Sequence, residues 1–261
     1  KTNTLLVLSR ALSEAGVPVV AFAREFDLVD LVRGDIRSGY TEVIDAEKLE
    51  IPADKVGVEV INYLLGPNYR LTDAMAELYE RIRYMLRKEL SKLKGKKHAR
   101  RYSIGTIVAV LDKALGYYDA KSIGKLPEVK AGILTPNEAG TIINNVSREL
   151  KGYWPSTIRG LRLRLSRIKR IFGGMLGIEW KYEGKPWDPA KLVELVEVVA
   201  EGNGGERGGK KKLVGKVKVV NLTALEDTSK VAVAFLLLSN LFELRELYVR
   251  GKAQEAQEEN N

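Results

Sequence analysis

The sequence predicts an α/β protein whose mostly parallel sheet is interrupted by an all-helical insertion. Three observations carry that reading. Val17 to Phe22 is a short, almost wholly apolar run that follows a helical segment, as a strand covered on both faces requires. From Leu71 to Phe172 the apolar residues recur at helical spacing. Beyond them, "LVGKVKVVNL" reads as a strand and leads into a long helix that begins at Asp227.

Leu5, Leu8, Leu12 and Ala15 recur at the spacing of one helix, and Gly16 stops it. Thr41 to Asp45 offers a second strand, and Asp54 to Leu65 a helix ended by "GPN". Leu71, Met75, Leu78, Ile82, Met85 and Leu86 trace one side of a long helix that runs into "KLKGKKHARR". Ile104 to Tyr118 and Asn137 to Trp154 are two more helical stretches. Pro155 opens another, where its missing N–H costs nothing, and Ile158, Leu161, Leu165, Ile168 and Phe172 form its apolar stripe. Pro189 to Ala200 predicts a surface helix, and "EGNGGERGGKKK" a flexible linker. Asp227 to Arg250 is a helix apolar nearly all round in its first half, which predicts deep burial. The polar end "GKAQEAQEENN" is expected to fray. The organisation predicted is a first core segment over 1–66, a helical insertion over 67–188 and a return to the core over 189–261.

Composition excludes several chemistries. The 261 residues include no cysteine and a single histidine, His98, so disulfides, thiolate metal sites and His clusters are ruled out. The longest apolar run, Val231 to Leu238, is far shorter than the roughly 20 residues that span a bilayer. A soluble, cytoplasmic protein is therefore expected. Abundant Lys, Arg and Glu without Cys suit a thermophile.

The net charge of +9 is concentrated. Arg81 to Arg101 holds ten Lys and Arg against Glu89, and Arg148 to Arg170 holds eight against Glu149, so the remainder of the chain is net negative. A positive field confined to two segments points to a polyanion, most naturally nucleic acid. Lys96, Lys97, Arg100, Arg101, Arg162 and Arg167 are the candidate phosphate contacts. Such contacts read charge and not sequence. For any single one of them, a solvated helix face is the competing explanation. Tyr117-Tyr118 and Tyr153-Trp154 could stack on bases, but aromatics beside apolar stripes are expected in the core.

The opening "KTNTLLVLSR" places Lys1-Thr2 at a helix start. One reading is an accident of where the chain begins. The other is the end of a phosphate-binding loop, G-x-x-x-x-G-K-[ST], with its glycines upstream of Lys1. There the lysine neutralises the β- and γ-phosphates, the hydroxyl ligates Mg²⁺, and the helix N-terminus adds its positive dipole end.

"KTNTLLVLSRALSEAGVPVVAF" resembles the corresponding helix and strand of HerA-type ATPases of the FtsK–HerA superfamily. "GKVKVVNLTALEDTSKVAVAFLLLSNLFELR" is similar to that family's later strand, turn and long helix. The resemblance implies a partial RecA-like P-loop core, ATP held by Lys1, Thr2 and Asn3, and Mg²⁺ on Thr2. It also implies a hexameric ring on duplex DNA, and a NurA-type nuclease partner in DNA end processing or repair. Glu25 and Phe26 match the family's Glu-Tyr pair, which makes Glu25 the candidate catalytic carboxylate, although the acidic residue before that pair is alanine here. Asn221 stands where the family often has Asp. The family's acidic pair on a following strand is expected beyond Asn261, so hydrolysis is expected of the parent protein and not of these residues alone. A non-catalytic DNA-binding or scaffold protein on a degenerate P-loop fold is the alternative. A related conjugation or secretion ATPase is a third reading, and no membrane segment supports it.

Overall fold

The computed structural model describes residues 2–26, 29–30, 41–93, 101–173, 175–199 and 211–258. In chain order the elements are α1 (Thr2–Glu14), β1 (Val19–Ala23), β2 (Thr41–Asp45), β3 (Leu49–Glu50), α2 (Val58–Leu65), α3 (Asp73–Ser91), α4 (Ile104–Ala114) and α5 (Pro127–Lys130). Then follow α6 (Pro136–Arg148), α7 (Pro155–Phe172), β4 (Lys181–Tyr182), β5 (Lys185–Pro186), β6 (Leu195–Val199), β7 (Lys211–Gly215), β8 (Val217–Asn221) and α8 (Asp227–Glu258). They form two compact units, one of residues 1–47 with 187–261 and one of residues 48–186. Residues 48–66 thus belong to the second unit.

The first unit is built on a parallel sheet of three strands in the order β1-β8-β2. A complete RecA-like core is not present among the described residues. Val217, Val219 and Val220 of the central strand are buried, which is why that strand is valine on both faces. Leu6 of α1 packs on Ala23, Val29 and Val219, with Ala21 and Val43 beside them. Ser13, at the far end of α1, is fully buried and donates through Oγ to the Gly215 carbonyl. The face turned inward is therefore Leu6 and Ser13, while Leu5, Leu8 and Leu12, the stripe that marks the helix in the sequence, stay exposed. Small hydroxyl side chains let the helix approach the strand backbone closely.

The surface helix expected over Pro189 to Ala200 is corrected. Only Pro189–Leu192 turns, as a 3₁₀ segment whose Asp188 side chain accepts from the Ala190 N–H at 2.9 Å. Leu195–Val199 is instead a strand, paired antiparallel with β7. Leu195, Val196, Val198 and Val199 fit a helical stripe and a strand equally well, and the partner strand decides. "LVGKVKVVNL" is accordingly two strands, β7 in the hairpin and β8 in the parallel sheet. The corner between them is Gly215, where a Cβ would lie 2.0 Å from the Val17 carbonyl oxygen.

Four charges clasp this hairpin to the sheet. Lys218 Nζ, on a side chain 3% exposed, is 2.9 Å from Glu194 and 3.4 Å from Glu42, and Lys216 Nζ is 2.9 Å from Glu42 and 3.4 Å from Glu194. Burial works to raise both carboxyls, but hydrogen bonds and charges from the two lysines hold each below its usual value. The hydrogen bond to Glu42 raises Lys216 in turn.

Helix α8 also differs from expectation. Ala232, Val233, Leu236, Leu237 and Asn240 are buried, but Val231, Phe235, Leu238 and Phe242 on its opposite side are exposed. Its polar end continues as helix to Glu258, in keeping with residues of high helix propensity.

In the second unit α3 and α4 each pack against α6 and α7. Helix α4 is buried from Ile104 through Leu111, as its nearly uncharged sequence dictates. Leu78, Ile82, Leu86, Ile107, Leu111, Ile143, Leu161 and Leu165 fill the core around it. Thr135 and Glu138 start α6 with a reciprocal capping box, an arrangement that stabilises a helix by about 1 kcal/mol. The unit is not all-helical, because β3, β4 and β5 form a small antiparallel sheet. Among the described residues no helix is long and apolar enough to cross a membrane.

Candidate nucleotide and nucleic-acid sites

A parallel sheet has one carboxyl edge, and ligands of open α/β sheets bind outside it. Here Ala23, Asn221 and Asp45 end their strands in one row. Helix α1 precedes β1 through the tight turn at Gly16, whose φ is +81°, and its last turn is tied by Ser13 to Gly215, just ahead of β8. The carboxyl end of α1 therefore lies at the amino edge of the sheet, and its N-terminus, at Thr2, points toward the carboxyl edge. A helix N-terminus there offers free N–H groups and a positive dipole end to an anion.

The row of strand ends carries a polar relay. Asn221 Nδ2 donates to Asp45 Oδ1 at 2.9 Å, and Asn221 Oδ1 accepts from the Thr223 N–H at 3.1 Å and the Thr223 hydroxyl at 2.7 Å. Just past β1, Arg24 is 3.5 Å from Asp227, the first residue of α8, with both side chains largely exposed. Glu25 follows on the same turn and is exposed. Lys1 and the side chains of Thr2 and Asn3 lie outside the described residues. The Asn221–Asp45–Thr223 relay went unread in the sequence, where only the Asn at the family's Asp position hinted at it. Among the described residues, no group of three or more His, Asp or Glu is placed to hold a metal ion.

The basic segments meet in the helical unit. Lys96, Lys97, Arg100 and His98 lie outside the described residues. Arg101 is half-buried, and its charge acts on Asp54. Arg162 pairs with Asp112 and lies 5.8 Å from the Tyr117 ring centre, and Arg167 stacks on Tyr69 at 4.3 Å. Arg164 donates from Nε to the Tyr69 and Arg70 carbonyls at 3.0 and 3.2 Å. Arg83 and Arg87 both donate to the Asp54 carbonyl, at 2.8 and 2.7 Å, and Tyr79 donates to the Val56 carbonyl at 2.7 Å. Much of the positive charge thus fastens the helices to the segments that join them.

Two buried groups beside those arginines are perturbed. Burial pushes the Asp54 carboxyl up, against the charges of Lys55, Arg87 and Arg101, and pushes the Tyr102 phenol up to about 12. The aromatics expected in the core divide differently. Trp154 is 79% exposed and Tyr117 is exposed, because Trp154 precedes the first turn of α7 and Tyr117 follows the end of α4.

No protein-family model matches the chain, and no curated protein matches it.

Proposed function

We propose that this chain is part of an ATP-dependent DNA translocase or helicase of HerA type, acting in DNA end processing or repair in the cytoplasm. The observation that carries the proposal is the direction of α1, whose N-terminus points toward the carboxyl edge of a parallel sheet, the edge that also carries the Asp45–Asn221–Thr223 relay. In this reading Lys1 neutralises the outer phosphates of ATP, Thr2 ligates Mg²⁺ and Asn3 lines the nucleotide. Glu25 sits on the loop that would face the γ-phosphate. Phosphoryl transfer needs little beyond such positioning and charge compensation. The RecA-like core, the hexameric ring and the nuclease partner come from the resemblance alone. The basic surface of the helical unit supports a polyanion track.

The test is ATP hydrolysis by the encoded protein with and without duplex DNA, with Lys1→Ala and Glu25→Gln compared. Stimulation by DNA that falls about a hundredfold in Lys1→Ala fits the proposal. Duplex binding with no hydrolysis under any condition would instead identify a non-catalytic DNA-binding protein on a degenerate P-loop fold. Asn221, in place of a carboxylate, is the observation that favours this second reading.

A further inference from the structure

Resting on the nucleic-acid reading, we propose that the groove between α3 and α6 is where duplex DNA meets the helical unit, through its phosphodiester backbone. The groove has a volume of about 350 Å³, and its cationic wall is Arg81, Lys88, Lys92 and Arg148, with Tyr84 and Asn145 between them. Arg81, Tyr84, Lys88 and Lys92 follow one another at helical three- and four-residue steps, so α3 presents them on one face. Arg148 closes the last turn of α6 opposite. One cationic segment of the sequence therefore supplies one wall, and the other segment supplies the facing side.

The charge balance of the groove favours an anion. Its two carboxylates are Glu89 and Glu149. Glu89 is already engaged, by Lys92 and by Asn145 Nδ2 at 3.0 Å, and these hydrogen bonds hold it below its usual value. Arg81, Lys88 and Arg148 have no ion-pair partner among the described residues, unlike Arg162, which is bound to Asp112. The adjoining depression carries Glu77 and Glu80, so the anion track ends at Arg81. From Arg81 to Lys88 is seven residues, about 10 Å along the helix, or about three base-pair rises along a duplex axis. Cations strung out over that length, and not converging on one point, suit a polymer backbone better than a single small anion. Tyr84, 61% exposed, stands midway and can pack on the sugar between phosphates.

The test measures binding of a labelled mixed-sequence duplex across a salt series. It compares the unmodified chain, the double variant Lys88→Gln/Arg148→Gln and a control, Lys121→Gln/Lys130→Gln, that removes the same charge elsewhere in the unit. We expect the groove variant to lose about tenfold in affinity and its log–log salt slope to become shallower by about two, with the control unchanged. Thermal melts of all three chains check that the fold is kept, and Lys88→Gln alone serves if the double variant unfolds. A groove variant that binds as tightly as the unmodified chain overturns the inference and leaves the wider reading standing. An unmodified chain that binds no duplex overturns both. Tripolyphosphate is the second probe: if it binds the groove tightly and the duplex does not, the groove is a small-anion site and the inference is wrong.

Discussion

Asn221 and Asp45 end neighbouring parallel strands and are joined side chain to side chain, Nδ2 to Oδ1, at 2.9 Å. The same Asn221 receives both the N–H and the hydroxyl of Thr223, so one amide fixes the exit of the central strand and the carboxylate beside it. Replacing it by alanine removes three hydrogen bonds from a half-buried site. We predict a loss of about 1–3 kcal/mol in urea denaturation for Asn221→Ala. Asn221→Asp should also destabilise, because it sets a second carboxylate against Asp45, and that loss should shrink as the pH is lowered.

Gly215→Ala should be among the most damaging single substitutions in the chain. The new Cβ would meet backbone atoms of Val17 and Pro18 at 2.0–2.4 Å, and backbone cannot swing aside as a side-chain tip can. A loss of about 3 kcal/mol is expected by the same denaturation assay. An unchanged midpoint would show that the hairpin corner lies elsewhere.

Acid should loosen the clasp on the parallel sheet. Glu42 and Glu194 have pKa values lowered from 4.5 by Lys216 and Lys218. The folded state thus binds protons at these sites less readily than the unfolded state. Their stabilisation is complete above pH 4.5 and is lost as pH falls below it through the lowered folded values. Glu194→Gln should flatten that acid limb in a pH series of thermal melts.

Asp54 has the opposite sign. Burial raises its pKa from 3.8, and Oδ1 has no hydrogen-bond partner among the described residues, so its charged form disfavours folding at neutral pH. Asp54→Asn should raise the melting temperature at pH 7, and the gain should shrink as pH falls through the raised folded value and vanish below 3.8, where both states of the wild type are protonated. A loss at pH 7 would mean that the ionised carboxylate makes a net stabilising interaction in the folded state.

What the sequence could reveal followed the range of the interactions involved. Thr41–Asp45 and Pro155–Phe172 were legible because their signals are local, a short β-branched run in one and a proline start with a stripe in the other. Leu195–Val199 was misread as helix because Asp188 and Pro189 are true helix-start signals, spent here on a single 3₁₀ turn. Only a strand that pairs with it from 211–215 distinguishes the two. Periodicity also located α1 without locating its buried side, since Ser13, a polar residue, is what the strand backbone holds. The basic segments were legible as segments. Which cations are consumed internally, as Arg162 and Arg83 are, depends on carboxylates and carbonyls far away in sequence.

Whether the start of α1 receives the outer phosphates of a nucleotide is read most simply by direct titration of the encoded protein with ATP and Mg²⁺. Saturable binding is expected, weakened at least about tenfold in Lys1→Ala, as loss of a charge-assisted phosphate contact requires, with the melting temperature unchanged. Undiminished binding by that variant, or no binding at all, would contradict that role.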